Sequence, residues 1–159
     1  MSIPIRLKSY LEHEGARYEV SAHHYSRSSA ETARTARVSP HALAKSVILE
    51  DEAGCVMAVV PADKDVDVDE IADMLGRRRL QLASEDRLAT LFADCERGAV
   101  PPLGMAWGLE TLVDDELEDS EEIYLEAGDH ERLIKVSRAQ FQRLMGPARH
   151  GSFCRTTVH

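Results

Sequence analysis

Ser46-Val47-Ile48-Leu49-Glu50 and Cys55-Val56-Met57-Ala58-Val59-Val60, joined by Asp51-Glu52-Ala53-Gly54, carry the strongest β-hairpin pattern in the chain. Both runs are rich in β-branched residues, and the polar link between them ends in glycine, which favours a tight reversal. Lys45 stands at the mouth of the first strand, after Leu43-Ala44 and before four core-forming positions. A charge there is either a snorkelling strand-end lysine or a fixed cation for a carbonyl or phosphate oxygen. A second strand pair is expected further on, Ile123-Tyr124-Leu125-Glu126 and Leu133-Ile134-Lys135-Val136, around Ala127-Gly128-Asp129-His130-Glu131.

Helices separate these pairs. Ile3, Leu7, Tyr10 and Leu11 recur at helical spacing up to Gly15, and Ser28-Ser29-Ala30-Glu31 has capping-box spacing for a short helix ending before Ser39-Pro40. His41 to Ala44 adds a turn. Val68, Ile71, Met74 and Leu75 form a helix face capped by Asp67 or Asp69 and closed by Gly76. Ser84 caps a helix with Leu88, Leu91 and Phe92, and Ser137 caps one with Phe141, Leu144 and Met145 that stops at Gly146-Pro147. Tyr18 and Val20 read as a strand with one buried face, Leu80 and Leu82 as a short strand, and Met105 to Leu112 as extended. Strand pairs divided by helices, without regular βαβ alternation, predict an α+β domain on a mixed, mainly antiparallel sheet flanked by helices. The acidic run Asp114 to Glu122 reads as a solvated connection. The domain is placed at 1–147, and 148–159, with His150, Phe153 and His159, reads as a flexible C-terminal tail.

The totals narrow the function classes. A chain of 159 residues, 43% hydrophobic and 30% charged, holds one core. The apolar runs are too short to span a bilayer, and no apolar signal core follows Arg6 and Lys8, which reads as a cytoplasmic protein with no membrane partner. A net charge of -9 argues against a surface that coats nucleic acid throughout, DNA included. Gly76-Arg77-Arg78-Arg79 is the densest positive cluster, either a local basic face or a helix end whose arginines complement the dipole. Cys55, Cys95 and Cys154 are in no metal-like spacing, no histidine pair has ligand spacing, and no dinucleotide or phosphate fingerprint is present, so no metal or cofactor is expected. Asp94 and Glu96 flank Cys95 and should raise its pKa, which disfavours a thiolate nucleophile.

One loop stands apart. In Gly98-Ala99-Val100-Pro101-Pro102-Leu103-Gly104, two glycines bracket two prolines of fixed φ, so the segment should be stiff and expose the amides of Ala99 and Val100. It reads as a binding ribbon or as an ordinary Pro-Gly connection. His130, in a Gly-Asp-His turn, is a hydrogen-bonding group at neutral pH or simply a turn histidine.

Ala44-Lys45-Ser46-Val47-Ile48, the Gly-x-x-x-Pro pattern from Gly98 to Pro102, and Ala127-Gly128-Asp129-His130 before Leu133-Ile134 stand in the same order as in the YbaK and prolyl-tRNA synthetase editing-domain family, which the chain resembles from its first helix to about Met145. The resemblance implies a partly closed, barrel-like sheet and a metal-free, trans-acting hydrolase that removes alanine or cysteine mischarged onto the proline acceptor. It implies that Lys45 is the essential lysine, that Gly98, Ala99, Val100, Pro101 and Pro102 cradle the aminoacyl group, and that His130 is a pocket residue. A ribose hydroxyl of the substrate helps activate the water in that family. The expected partner is the acceptor end of mischarged transfer RNA, bound weakly and salt-sensitively, with a cognate synthetase as a second candidate. Two other functions fit the same residues, a non-catalytic module that binds an aminoacyl-RNA or a synthetase, and hydrolysis of a small ester unrelated to translation.

Overall fold

The hairpin is longer than its sequence signal. Strand β2 (Leu43–Asp51) pairs antiparallel with β3 (Gly54–Pro61), in register from Ala44 opposite Pro61 to Asp51 opposite Gly54. The structure, a computed structural model, describes residues 3–26 and 28–156. Before the hairpin come α1 (Ile5–His13), β1 (Glu19–Ala22) and α2 (Ser29–Ala36). After it come β4 (Lys64–Val66), α3 (Val68–Leu75), β5 (Gln81–Leu82), α4 (Glu85–Leu91) and β6 (Glu110–Asp114), then β7 (Glu122–Glu126), β8 (Arg132–Ser137), α5 (Arg138–Leu144), β9 (Arg149–Gly151) and β10 (Cys154–Thr156).

The helix boundaries follow the caps read from sequence. Ser28, Asp67, Ser84 and Ser137 each accept an amide from the first turn of α2, α3, α4 and α5. The main sheet runs β1-β8-β7-β2-β3-β6-β9, with β5 also on β2. Its pairs are antiparallel except β2 with β7, β3 with β6 and β6 with β9. The sheet curves as a partly closed wall; β1 and β9 end its path rather than meeting as in a closed barrel. Successive residues of β3 divide between two cores. Met57 and Val59 face α1, α5 and Phe92, whereas Val56, Ala58 and Val60 face Ile71 of α3 and Phe153. A third, smaller cluster joins Ala33 of α2 to Leu43 and Leu133. At the hairpin turn, Arg77 donates to Asp51 through Nε at 2.6 Å and through Nη2, and holds that carboxyl down at about 2. The first arginine of the basic triplet is therefore a clamp on the turn.

Four expectations change. All four residues of β1 are exposed, Val20 at 47%, because no layer covers this edge strand on either side. Residues 104–107 form a 3₁₀ turn before β6, so the extended segment is shorter than predicted. The acidic run is not wholly solvated. Asp114 is buried and accepts the amides of Phe153 and Cys154, and Leu117 inserts fully into the core. Those amides belong to the expected flexible tail, part of which builds the fold: β9 extends the sheet alongside β6, β10 pairs with β4, and Phe153 seals the α3 core. Three-residue strands with arginine, histidine and glycine carry little local β signal, so long-range pairing decides them. His159 lies outside the described residues.

Candidate functional site

Strand β2 has β7 beside it only at Leu43 and Ala44, paired with Tyr124 and Leu125, and β5 beside it only from Leu49, paired with Leu82. Between those contacts the same edge of β2 has no strand partner, and a cavity of about 520 Å³ opens there. Lys45, Ser46 and Val47 form its floor, Ser28 and Ser29 at the start of α2 one wall, and Leu88 of α4 with Gly98 and Val100 another. A diverging strand pair thus makes the crevice without any special loop.

Lys45 presents a cation at this crevice. Its Nζ donates to the Lys64 carbonyl at 2.6 Å and lies 3.6 Å from Asp65, both on β4. An ammonium has three donors, so at least one remains for a ligand oxygen. Opposite it, Glu96 to Ala99 closes a turn in which the Ala99 amide donates to the Glu96 carbonyl at 3.1 Å and Gly98 sits at φ +80°. That is the third position of a type II turn, which glycine fills without strain. The Ala99 amide is therefore spent, correcting the expectation that it faces a ligand. Among the described residues, the amides of Gly98 and Val100 have no hydrogen-bond partner. Ser46 Oγ donates to the Val100 carbonyl at 3.0 Å, which fixes the ribbon to β2 beside Lys45.

The remaining predicted residues sit behind the ribbon. Ala99, Pro101 and Pro102 are buried and do not line the cavity. His130, 3% exposed, does not line it either. Its Nε2 donates to the Arg97 carbonyl, its amide donates to Glu96 Oε2 at 3.1 Å, and its ring meets Tyr25 edge-on. Gly128 completes the clamp, donating to the Ala99 carbonyl at 3.0 Å and accepting the Glu96 amide at 2.8 Å. A Cβ at Gly128 would stand 2.6 Å from Pro4 Cδ, so only glycine brings the β7–β8 turn this close to the N-terminus of α1. The Gly-Asp-His turn is thus the mount of the ribbon.

Sequence reasoning missed Glu126. This last residue of β7 lines the cavity at 2% exposure, and neither carboxyl oxygen has a hydrogen-bond partner among the described residues. Burial pushes its pKa up to about 8; the Thr32 hydroxyl, as a hydrogen-bonding neighbour, pulls it down, and the charge of Asp129 pushes it up again. Burial together with Asp94 likewise holds the Cys95 thiol up at about 12, so it is no nucleophile at neutral pH. Among the described residues, two groups of potential metal ligands, His41 with Glu116 and Asp119, and Asp114 with Glu116 and Cys154, lie away from the cavity. His41 is held between Asp63 at 3.1 Å and Asp119 at 3.2 Å, and Cys154 Sγ donates to Glu116 at 2.6 Å.

The profile of the aminoacyl-tRNA editing domain matches residues 23–144, a span that contains Lys45, the ribbon and His130. The chain belongs to this editing-domain family. The editing domain is similar in structure to a candidate trans-editing enzyme for prolyl tRNA synthetase, with a TM-score of 0.79, 21% identity, and coverage of 94% of this chain and 95% of that one. It is also similar to a hypothetical protein of known crystal structure, with a TM-score of 0.82, 21% identity, and coverage of 94% and 99%. No curated protein matches it. These likenesses establish the editing-domain fold, and the family match ties that fold to aminoacyl-tRNA editing. No helix among the described residues is long and apolar enough to cross a membrane.

Proposed function

We propose that this editing domain acts in trans as a deacylase, hydrolysing the ester of transfer RNA mischarged with a small amino acid, alanine or cysteine on the proline acceptor. The observation that carries the reading is that Lys45 and the Gly98–Val100 ribbon line one cavity although more than fifty positions separate them in the chain. Water adds to the ester carbonyl, the C–O bond to the terminal ribose breaks, and the ribose oxygen leaves with a proton as the amino acid departs. The ester is already activated, so what the protein adds is position and charge. Lys45 holds the carbonyl or terminal phosphate oxygen, and the free amides of Gly98 and Val100 supply donors for the developing oxyanion. The Glu85 carboxyl at the rim is paired with Arg97 at 3.1 Å, so activation of the water falls to the substrate's own ribose hydroxyl.

The ribbon also borders a second chamber of about 310 Å³, lined by Leu88, Ala89 and Phe92 together with Glu85, Glu96 and Arg97, a space suited to a small side chain. Small amino acids are hard to exclude by binding alone, because a methylene is worth only about 1–3 kcal/mol, so a hydrolytic second sieve has a purpose. The acidic surface confines contact to the acceptor end, and free transfer RNA should bind weakly and lose affinity with salt. The test is a panel of mischarged transfer RNAs. Release of alanine or cysteine from the proline acceptor, with correctly charged prolyl-tRNA spared, is the expected result. Binding without release of any amino acid would favour a non-catalytic module instead, and equal activity on free small esters would detach the reaction from translation.

A further inference from the structure

Lys45 and Glu126 are each the next residue beyond the last β2–β7 pair, Ala44 with Leu125, so in parallel strands they stand side by side on one face of the sheet. They do not pair. Lys45 turns to Lys64 and Asp65 on β4, leaving Glu126 in the cavity wall without a charged partner. No other neighbour supplies a cation. The Thr32 hydroxyl, itself hydrogen-bonded to Ser26, reaches the carboxyl and favours its charged form, Leu133 across from Glu126 on β8 is apolar, and Asp129 accepts the amides of Glu131 and Arg132 and lies 3.3 Å from the Arg132 guanidinium. Glu85 on the rim is exposed and pairs with Arg97 at 3.1 Å. A buried carboxyl in a cavity wall with no charged partner is costly, and a cationic donor from a ligand would satisfy it.

We propose that Glu126 receives the free α-ammonium of the aminoacyl group, so that this site takes esters with an unblocked amine and rejects N-acylated ones. The proposal rests on the deacylase reading for its substrate and names the contact that orients it. With the ammonium on Glu126 and the carbonyl or phosphate oxygen on Lys45, the ester is held at both ends across the gap in the sheet, with the amides of Gly98 and Val100 alongside. The proton balance is simple. In the empty crevice at neutral pH burial keeps the carboxyl protonated. An incoming ammonium favours the carboxylate, and the carboxyl proton is released to solvent as the ion pair forms.

The experiment compares alanyl-tRNA carrying the proline anticodon with its N-acetyl form, on wild type, Glu126→Gln and Glu126→Asp. Wild type should prefer the free amine by about a hundredfold, the scale of one lost charge-assisted contact. Glu126→Gln should bring that ratio near unity, and Glu126→Asp should restore part of it. A merely structural role would slow both substrates equally, and that result, or an unchanged ratio, overturns the proposal. Binding of 3′-alanylamino-adenosine, whose amide cannot be cleaved as the ester is, and of its N-acetyl derivative gives a second readout free of turnover. If wild type hydrolyses neither RNA, the deacylase reading fails, while equal binding of the two adenosine analogues would separately overturn the role of Glu126. Folding is checked by melting. The folded carboxyl titrates near 8 and an ordinary one near 4.5, so the unfolded chain releases its proton first and this group's contribution to stability is lost as pH rises between those values. The Glu126→Gln protein should therefore gain on wild type in melting temperature from pH 5 to pH 8.

Discussion

Replacing Lys45 with alanine is expected to slow deacylation of mischarged transfer RNA by about a hundredfold or more, the usual loss when one electrostatic contact to the developing charge is removed. The fold should survive. Lys45 Nζ makes one hydrogen bond to a strand carbonyl and a 3.6 Å approach to a half-exposed aspartate, contacts that contribute little to stability. Lys45→Met, which keeps the apolar stem over the sheet edge and removes only the charge, should lose as much rate as alanine with less change in melting temperature. Rate and melting curves measured together check this. An unchanged rate in either folded variant would remove the lysine from the mechanism.

Gly98→Ala is expected to produce the second large effect, through position rather than charge. At φ +80° an alanine is strained by about 1–2 kcal/mol, and relieving that strain turns the peptides of Gly98 and Val100 that border the cavity. A displacement near 1 Å in a positioning element can cost about a hundredfold in rate. The clamp behind the ribbon, from His130 to Arg97 and from Gly128 to Ala99, should keep the protein folded with a modestly lower melting temperature. Single-turnover rates of Gly98→Ala near those of wild type would show that the two free amides do not serve the reaction.

The sequence carried the parts of this site that depend on local rules. The hairpin is legible because its residues alternate between two cores, and every helix with a serine or aspartate cap begins where that cap predicts. Lys45 stood out because a charge next to Val47-Ile48-Leu49 has to be accounted for. What the sequence did not carry depends on distant pairing. Arg149-His150-Gly151 has no β signature and becomes a strand only because β6 offers an open edge. The Ala99 amide looked available because a stiff ribbon was evident but the type II turn that consumes the amide was not. Glu126 read as one more strand residue. Its burial comes partly from α2, which lies far from it in sequence, and its lack of a charged partner comes from Lys45 turning toward β4. His130 was recognised as a site residue, yet it acts on the ribbon from behind.

The central claim is that a single crevice, opened where β2 leaves β7, receives the aminoacyl end of the substrate. The most direct measurement is an amide-resolved NMR titration with 3′-alanylamino-adenosine. The account predicts that the largest shifts fall on Lys45, Ser46, Gly98, Val100 and Glu126. Shifts concentrated instead along the larger groove of about 660 Å³ between β1 and Arg37, with Gly98 and Val100 unmoved, would contradict it.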